Sequence, residues 1–261
     1  MAMNRKLPAA LAALCTAILL AATMAAPSSA RAQASASDEA VYTYVAQWAV
    51  PRSDWPQIEK FYKDAVPTLN KLVADGIIVG WGNARNWIHQ EGGFTHASWI
   101  TATSFANIQK GLAAVRDGVP QPAAFAASKH ADELLRSPLY GQKPGASGSG
   151  MLWVAHYRVR EGQMDEFTQL FETQIKPLFD EQIAAGTILA YSLDFQAVHS
   201  GQPGDLAIAY LMPDAAAIDA FQAALAAYQT KHPEIGPALE ATMDYGSHRD
   251  TIYEVMNFGQ K

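Results

Sequence analysis

Cysteine is almost absent from this chain: Cys15 is the only one in 261 residues, and it falls in the extreme N-terminal stretch. From Gln33 onward there is none, which excludes a disulfide framework, a thiolate nucleophile and any cysteine-based metal site. Basic residues are few, with 19 Lys and Arg against 25 Asp and Glu, and they form no cluster. No nucleic-acid partner is expected, and anionic membrane surfaces are poor partners for such a chain. Standard catalytic signatures are missing as well. There is no Gly-x-Ser-x-Gly elbow, no phosphate-cradling glycine loop, no dinucleotide fingerprint and no His-Glu-x-x-His helix. Gly145–Gly150 is glycine-rich but lacks the Lys-Ser/Thr that would follow a phosphate loop.

The first 32 residues read as an export signal. Arg5 and Lys6 form a basic start, Leu7 to Ala26 is mostly Ala and Leu, and Ala30-Arg31-Ala32 supplies small residues at the −3 and −1 positions. Cleavage is expected before Gln33, placing the protein in the periplasm or outside the cell with no stable membrane anchor. An uncleaved anchor is the competing reading, since the apolar run is nearly long enough to span a bilayer. Removing Arg5, Lys6 and Arg31 leaves 16 basic against 25 acidic side chains, a net charge of −9. The remaining 229 or so residues suffice for one large core or two smaller ones stabilised by burial alone.

The mature chain is one pattern written twice. Val45-Ala46-Gln47-Trp48-Ala49-Val50 returns as Val154-Ala155-His156-Tyr157-Arg158-Val159, and Ala74-Asp75-Gly76-Ile77-Ile78 as Ala184-Ala185-Gly186-Thr187-Ile188. His89 returns as His199, and His130-Ala131-Asp132 as His248-Arg249-Asp250. Each copy reads strand, helix, strand, strand, helix, strand. In the first copy (41–140), Val41–Val50 suits a strand and Ser53 is placed to cap a helix. Trp55, Ile58, Tyr62, Val66, Leu69 and Val73 give that helix one apolar face, and Gly76 stops it. Ile77–His89 and Phe94–Thr101 pair across Gly92-Gly93, Ser104–Val115 is helical, and a short strand lies near His130–Arg136. In the second copy (151–258), Phe167, Leu170, Phe171, Ile175, Leu178 and Ile183 line the helix before Gly186. Asp214 caps Ala215–Thr230, and Ser247–Phe258 closes the unit. Between the copies, 141–150 is a flexible linker by composition.

A βαββαβ unit is the ferredoxin-like topology, an α+β arrangement with an antiparallel sheet and both helices on one face. The bare face of each sheet needs a cover, and the second copy supplies one. In this duplication and element order the chain resembles the dimeric α/β-barrel superfamily, here fused in tandem. The alternative is two ferredoxin-like domains that share no barrel. The resemblance implies cofactor-free monooxygenase, isomerase, cyclase or dehydratase activities using a His or carboxylate base in an apolar pocket. It also extends to haem-binding relatives of the chlorite dismutase and dye-decolorising peroxidase kinds. Fusion implies a monomer with a pseudo-twofold axis or a homodimer of fused chains.

Strand alternation groups Tyr44 with Trp48, Trp153 with Tyr157, and Trp81 with Arg85 and His89; Tyr191 stands at the position matching Trp81. Rings bearing N–H or O–H groups suit a semi-polar cavity, so Tyr44, Trp48, Trp81, Arg85, Trp153, Tyr157 and Tyr191 are expected around a pocket between the two sheets. The same rings could instead fill the barrel. Among the seven histidines the repeat-matched pairs, His89 with His199 and His130 with His248, are the catalytic candidates. In each His-x-Asp, Asp132 or Asp250 shares a strand face with its imidazole, where it could orient a base or offer a second ligand to a divalent metal. The plain alternative is a polar strand start. No cofactor is predicted; haem and a divalent metal stay open. The expected function is chemistry on a small apolar or aromatic molecule, the alternatives being a non-catalytic ligand- or haem-binding protein and a structural barrel with no ligand.

Overall fold

The computed structural model describes residues 40–89, 92–199 and 201–261. The expected signal segment and its cleavage site lie outside them. The first repeat runs β1 (Val41–Ala49), a 3-10 turn, α1 (Trp55–Ala74), β2 (Gly80–Asn86), β3 (His96–Ala102), α2 (Phe105–Gly118), a short α3 (Ala123–Ala127) and β4 (Lys129–Gln142). The second runs β5 (Ser147–Val159), α4 (Met164–Leu170), a π turn (Phe171–Ile175), α5 (Lys176–Ala185), β6 (Ala190–Gln196), β7 (Asp205–Met212), α6 (Ala215–Lys231), α7 (Ile235–Thr242) and β8 (Met243–Gln260).

Local chemistry explains most boundaries. Ile58, Phe61, Tyr62, Ala65, Leu69 and Leu72 are buried along one stripe of α1. Gly76 and Gly186 end the two long helices at φ +70 and +80, a conformation that costs a side-chain-bearing residue energy. Ser104 accepts from the Asn107 amide at 3.2 Å and Asp214 from the Ala217 amide at 2.9 Å, so both second helices are capped alike. Ser53 does not cap α1. It sits inside the 3-10 turn, and Pro56 takes the first turn, where a missing N–H costs no helix bond. Pro67 lies inside α1, and its counterpart Pro177 begins α5 just after the π turn, which absorbs the lost hydrogen bond by widening the helix.

The strands form one closed antiparallel barrel in the order β1-β3-β2-β8-β5-β7-β6-β4. Each repeat contributes a four-stranded ferredoxin-like sheet, β4-β1-β3-β2 and β8-β5-β7-β6. The seams are β2 on β8 and β4 on β6, with bulges near Asn83 and between Arg136 and Leu139. The closed barrel excludes the arrangement of two domains with no shared barrel. The helices cover the outside: one core joins α1 and α2 to the first sheet, and another joins α4, α5 and α6 to the second. A third core, inside the barrel, holds no helix residue and centres on Ala84, Ala97, Leu211, Tyr253, Val255 and Phe258.

The last strand of each repeat is longer than its composition suggests, and 141–150 is not a free linker. Gly141 and Gln142 pair with Tyr191 and Ala190, and Ser147 and Gly148 with Gly259 and Phe258, leaving Lys143–Ala146 as the turn. Cross-repeat pairing overrides the weak strand preference of Gly and Ser. The C-terminus is tied to the same turn, through Gln142 Nε2 and the Gly145 amide, both donating to the Lys261 carbonyl. No helix among the described residues is long and apolar enough to cross a membrane.

Candidate functional site

Which face of each strand turns inward decides where the candidate residues go. On β1 the inward side chains are Thr43, Val45 and Gln47, so Tyr44 and Trp48 face the helices. Trp153 and Tyr157 likewise pack against the outer core of the second repeat. This corrects the expected placement of the rings between the sheets. An eight-stranded barrel closes on a narrow interior that favours Ala, Gly, Val and Thr, whereas the layer between sheet and helices has room for large rings. Trp81 and Tyr191 also pack into the outer cores, although both touch the edge of the barrel chamber. The Tyr191 hydroxyl donates to Asp180 on α5 at 2.9 Å. Arg85 is not a pocket residue: it is held outside by Glu59 at 2.9 Å and Glu254 at 2.6 Å.

The two His-x-Asp pairs do form. His130 Nε2 lies 2.8 Å from Asp132 Oδ1, and His248 Nε2 lies 3.1 Å from Asp250 Oδ1. Each is braced in the same way by the first strand of its repeat. Trp48 stacks on His130 at 5.0 Å, and Tyr157 on His248 at 4.4 Å. Trp153 Nε1 donates to Asp250 at 2.7 Å, while the Tyr44 hydroxyl meets Asp132. Burial first, and the Asp132 carboxylate second, hold the Tyr44 hydroxyl well above its ordinary range. His89 and His199 join neither pair. Both lie exposed beyond the ends of β2 and β6, because those strands stop at Asn86 and Gln196; His89 stacks on Trp55 at 5.1 Å.

In the first repeat a cavity of about 420 Å³ opens between the sheet and α1, α2 and α3. Tyr44, Trp48, Phe61, Phe125 and Leu112 give it apolar walls, Asn83 and Tyr62 a polar interior, and His130 a basic rim. Its neighbourhood carries unmet hydrogen bonds: among the described residues the Tyr62 hydroxyl and His96 Nε2 are buried without partners. His96 Nδ1 meets the Thr95 hydroxyl at 3.0 Å, and its ring lies 6.1 Å from that of Tyr62. Burial, with help from Arg85 and His89, lowers the His96 pKa to about 4, so the ring is neutral. Asn83 Oδ1 accepts from Asn257, leaving its own N–H groups for a ligand.

The same layer of the second repeat is filled. Phe179 stacks on Tyr191 at 5.0 Å, Phe221 at 5.6 Å and Phe171 at 5.7 Å. The positions 110 residues earlier explain the difference: Leu69 stands for Phe179, Ile100 for Tyr210, Gly111 for Phe221 and Ala65 for Ile175.

A second space lies inside the barrel. A chamber of about 120 Å³ opens to a mouth of about 650 Å³, and Gln47, Glu133, His156 and Asp194 line both. Asp194, 4% exposed, accepts from the Ser137 and Ser192 hydroxyls, yet burial pushes its carboxyl up to about 6. Burial also raises Glu133 and lowers His156. None of these four stands out in the sequence. The one local signal is a lone Asp within the apolar run of β6, Leu193-Asp194-Phe195. Among the described residues no three His, Cys, Asp or Glu side chains come together as a metal site.

This architecture defines the class: a tandem-fused, dimeric-α/β-barrel fold built from two ferredoxin-like repeats. No protein-family model and no curated protein matches the chain. Among solved structures it is similar to a candidate monooxygenase from Fusobacterium nucleatum, with a TM-score of 0.56, 11% identity, and coverage of 85% of this chain and 95% of that one. It is similar also to a candidate monooxygenase from Lactobacillus acidophilus, with a TM-score of 0.53, 5% identity, and coverage of 85% and 97%. At such identities the likeness establishes the shared fold.

Proposed function

We propose that the cavity beneath α1 and α2 of the first repeat is where this protein acts on a small aromatic or largely apolar molecule, with His130 as the general base. One observation carries the reading. Of two equivalent helix–sheet layers, one is closed by stacked rings, while the other keeps an aromatic-walled space with a His–Asp pair at its rim. Asp132 engages Nε2 of His130 and leaves Nδ1 as the basic nitrogen. An imidazole so held takes a proton from an acidic C–H of the bound molecule. The Asn83 amide then donates to the oxygen on which negative charge develops. Return of the proton to another carbon gives an isomer. Reaction of the carbanion with O2 instead turns a methylene into a carbonyl and releases water, the substrate supplying all the electrons. The monooxygenase descriptions of the two similar structures support that second outcome. None of these steps calls on a cofactor.

Anthrone, whose methylene is acidic, is a suitable probe, with deuterium uptake and O2 consumption followed in parallel. His130→Gln should slow exchange by about 10²- to 10⁴-fold, and His248→Gln should leave it unchanged. An unaltered rate in His130→Gln would remove the base from the proposal.

We further propose that the protein is exported, on the strength of the basic start, the Ala/Leu run and the Ala30-Arg31-Ala32 site. Mature protein beginning at Gln33 is the expected result of N-terminal sequencing; an intact Met1 start would refute it.

A further inference from the structure

The barrel chamber is a different space from the cavity of the proposed activity; among the described residues Trp99 alone lines both. Its floor is apolar, made by Leu152, Val154, Ala209, Leu211 and Phe258. Its neck, where chamber meets mouth, sets the polar side chains Gln47 from β1, Glu133 from β4, His156 from β5 and Asp194 from β6 among Leu135, Ala207 and Tyr253. The charges at this neck do not balance. Glu133 has no ion-pair or hydrogen-bond partner among the described residues, and Asp194 is met only by two serine hydroxyls. The nearest fixed cations are committed or peripheral. Arg158 is paired with Asp205 at 2.9 Å, and Arg249 stands at the mouth. His156 is lowered by its burial and by Arg249, so it adds no positive charge near neutral pH. A buried carboxylate beside a half-buried one, with no counter-charge between them, favours a proton or a cation at the neck.

We propose that the barrel chamber is a second ligand site, one that takes a small organic cation: an ammonium at the neck between Glu133 and Asp194, with its apolar body in the chamber below. A dry cavity of about 150 Å³ accommodates benzene, so 120 Å³ suits an apolar body of about four to six carbons. The ammonium donates to the Glu133 carboxylate and to the remaining lone pairs of Asp194, whose two oxygens each accept from one serine, and Gln47 can accept from it through its side-chain carbonyl. Wall and neck thus select on separate grounds: length and apolarity below, positive charge above.

Binding of n-butylammonium, 1-butanol and butyrate to the intact protein, measured by calorimetry at pH 8 and pH 5, tests the assignment. The expected order is butylammonium at least tenfold tighter than butanol at pH 8, with butyrate weakest. That preference should weaken at pH 5, below the value near 6 to which burial pushes the Asp194 carboxyl; burial raises Glu133 in the same direction, and His156, Asp205, Asp250, Tyr140 and Tyr253 are among the other titratable groups that line chamber or mouth. Glu133→Gln should cost butylammonium at least tenfold and butanol nothing. The comparison among ligands needs no variant, so it stands even if an Asp194 variant fails to fold. Equal binding of butanol, preference for butyrate, or no saturable binding overturns the proposal. Because anthrone exchange depends on His130, failure of one site would leave the other standing.

Discussion

Asp194 shows what a single side chain can impose on the whole chain. Its carboxyl is buried within a barrel of apolar residues, and two serine hydroxyls offset only part of that cost. The folded value near 6 lies above the ordinary 3.8, so the folded protein binds this proton more tightly than the unfolded chain does. The stabilisation is therefore complete below about pH 4 and is lost as pH rises through about 6. Over that window the group should withdraw about 3 kcal/mol of stability. Urea unfolding at pH 4 and pH 7 measures it, and Asp194→Asn should flatten the difference; an identical fall in both proteins would show that another group is responsible. Tyr62 makes the complementary point about legibility. Its place on the apolar stripe of α1 is plain from the spacing with Ile58 and Leu69. That its hydroxyl ends without a partner depends on which strand residues face it, and no local pattern contains that information.

At the scale of elements, the readable features are those decided within a few residues. The cap at Asp214 and the helix stops at Gly76 and Gly186 are settled locally between side chain and backbone and stand where the sequence places them, whereas the cap expected at Ser53 gives way to a 3-10 turn. Strand alternation is also local, and Tyr44 does share a face with Trp48. Alternation does not say whether that face turns toward helices or barrel, because both layers bury it. Side-chain volume is a partial clue: on β1 the small Thr43 and Val45 turn into the narrow barrel and the rings of Tyr44 and Trp48 into the wider helix layer, although Trp99, Tyr253 and Phe258 show that the barrel also takes rings. The His-x-Asp pairs are legible as pairs, and only their helix-side location is not. The contrast between the two helix layers can be rewritten by exchange. Leu69→Phe and Ala65→Ile copy the second repeat into the first and extend side chains into the 420 Å³ cavity. Such filling should leave stability unchanged or raise it by about 1 kcal/mol, since it adds buried apolar area without displacing a packed neighbour. Turnover should fall at least tenfold. Full activity in the doubly filled protein, assayed with anthrone, would place the chemistry elsewhere.

For the whole molecule, the seams matter more than the repeats. β8 pairs with β2 as well as with β5, and β4 with β6 as well as with β1, so each repeat completes the hydrogen bonding of the other. Residues 40–142 or 147–261 produced alone would each expose a sheet face and two unpaired edges, an aggregation-prone state. Each half should be insoluble or self-associated, and co-expression should restore a one-to-one complex. Sedimentation of the separate halves checks this, and a soluble, folded monomeric half would contradict it. Closure also has a reading in terms of inheritance. In a homodimer of single units, every substitution appears twice, so a residue that enlarges a cavity on one side must weaken the packing on the other. Joining the units through the four-residue turn at Lys143–Ala146 lifts that constraint. The second helix layer can then become a counterweight, its phenylalanines packed for stability. The first can tolerate an empty space, a neutral buried histidine and a hydroxyl without a partner, at a cost that it no longer has to bear twice.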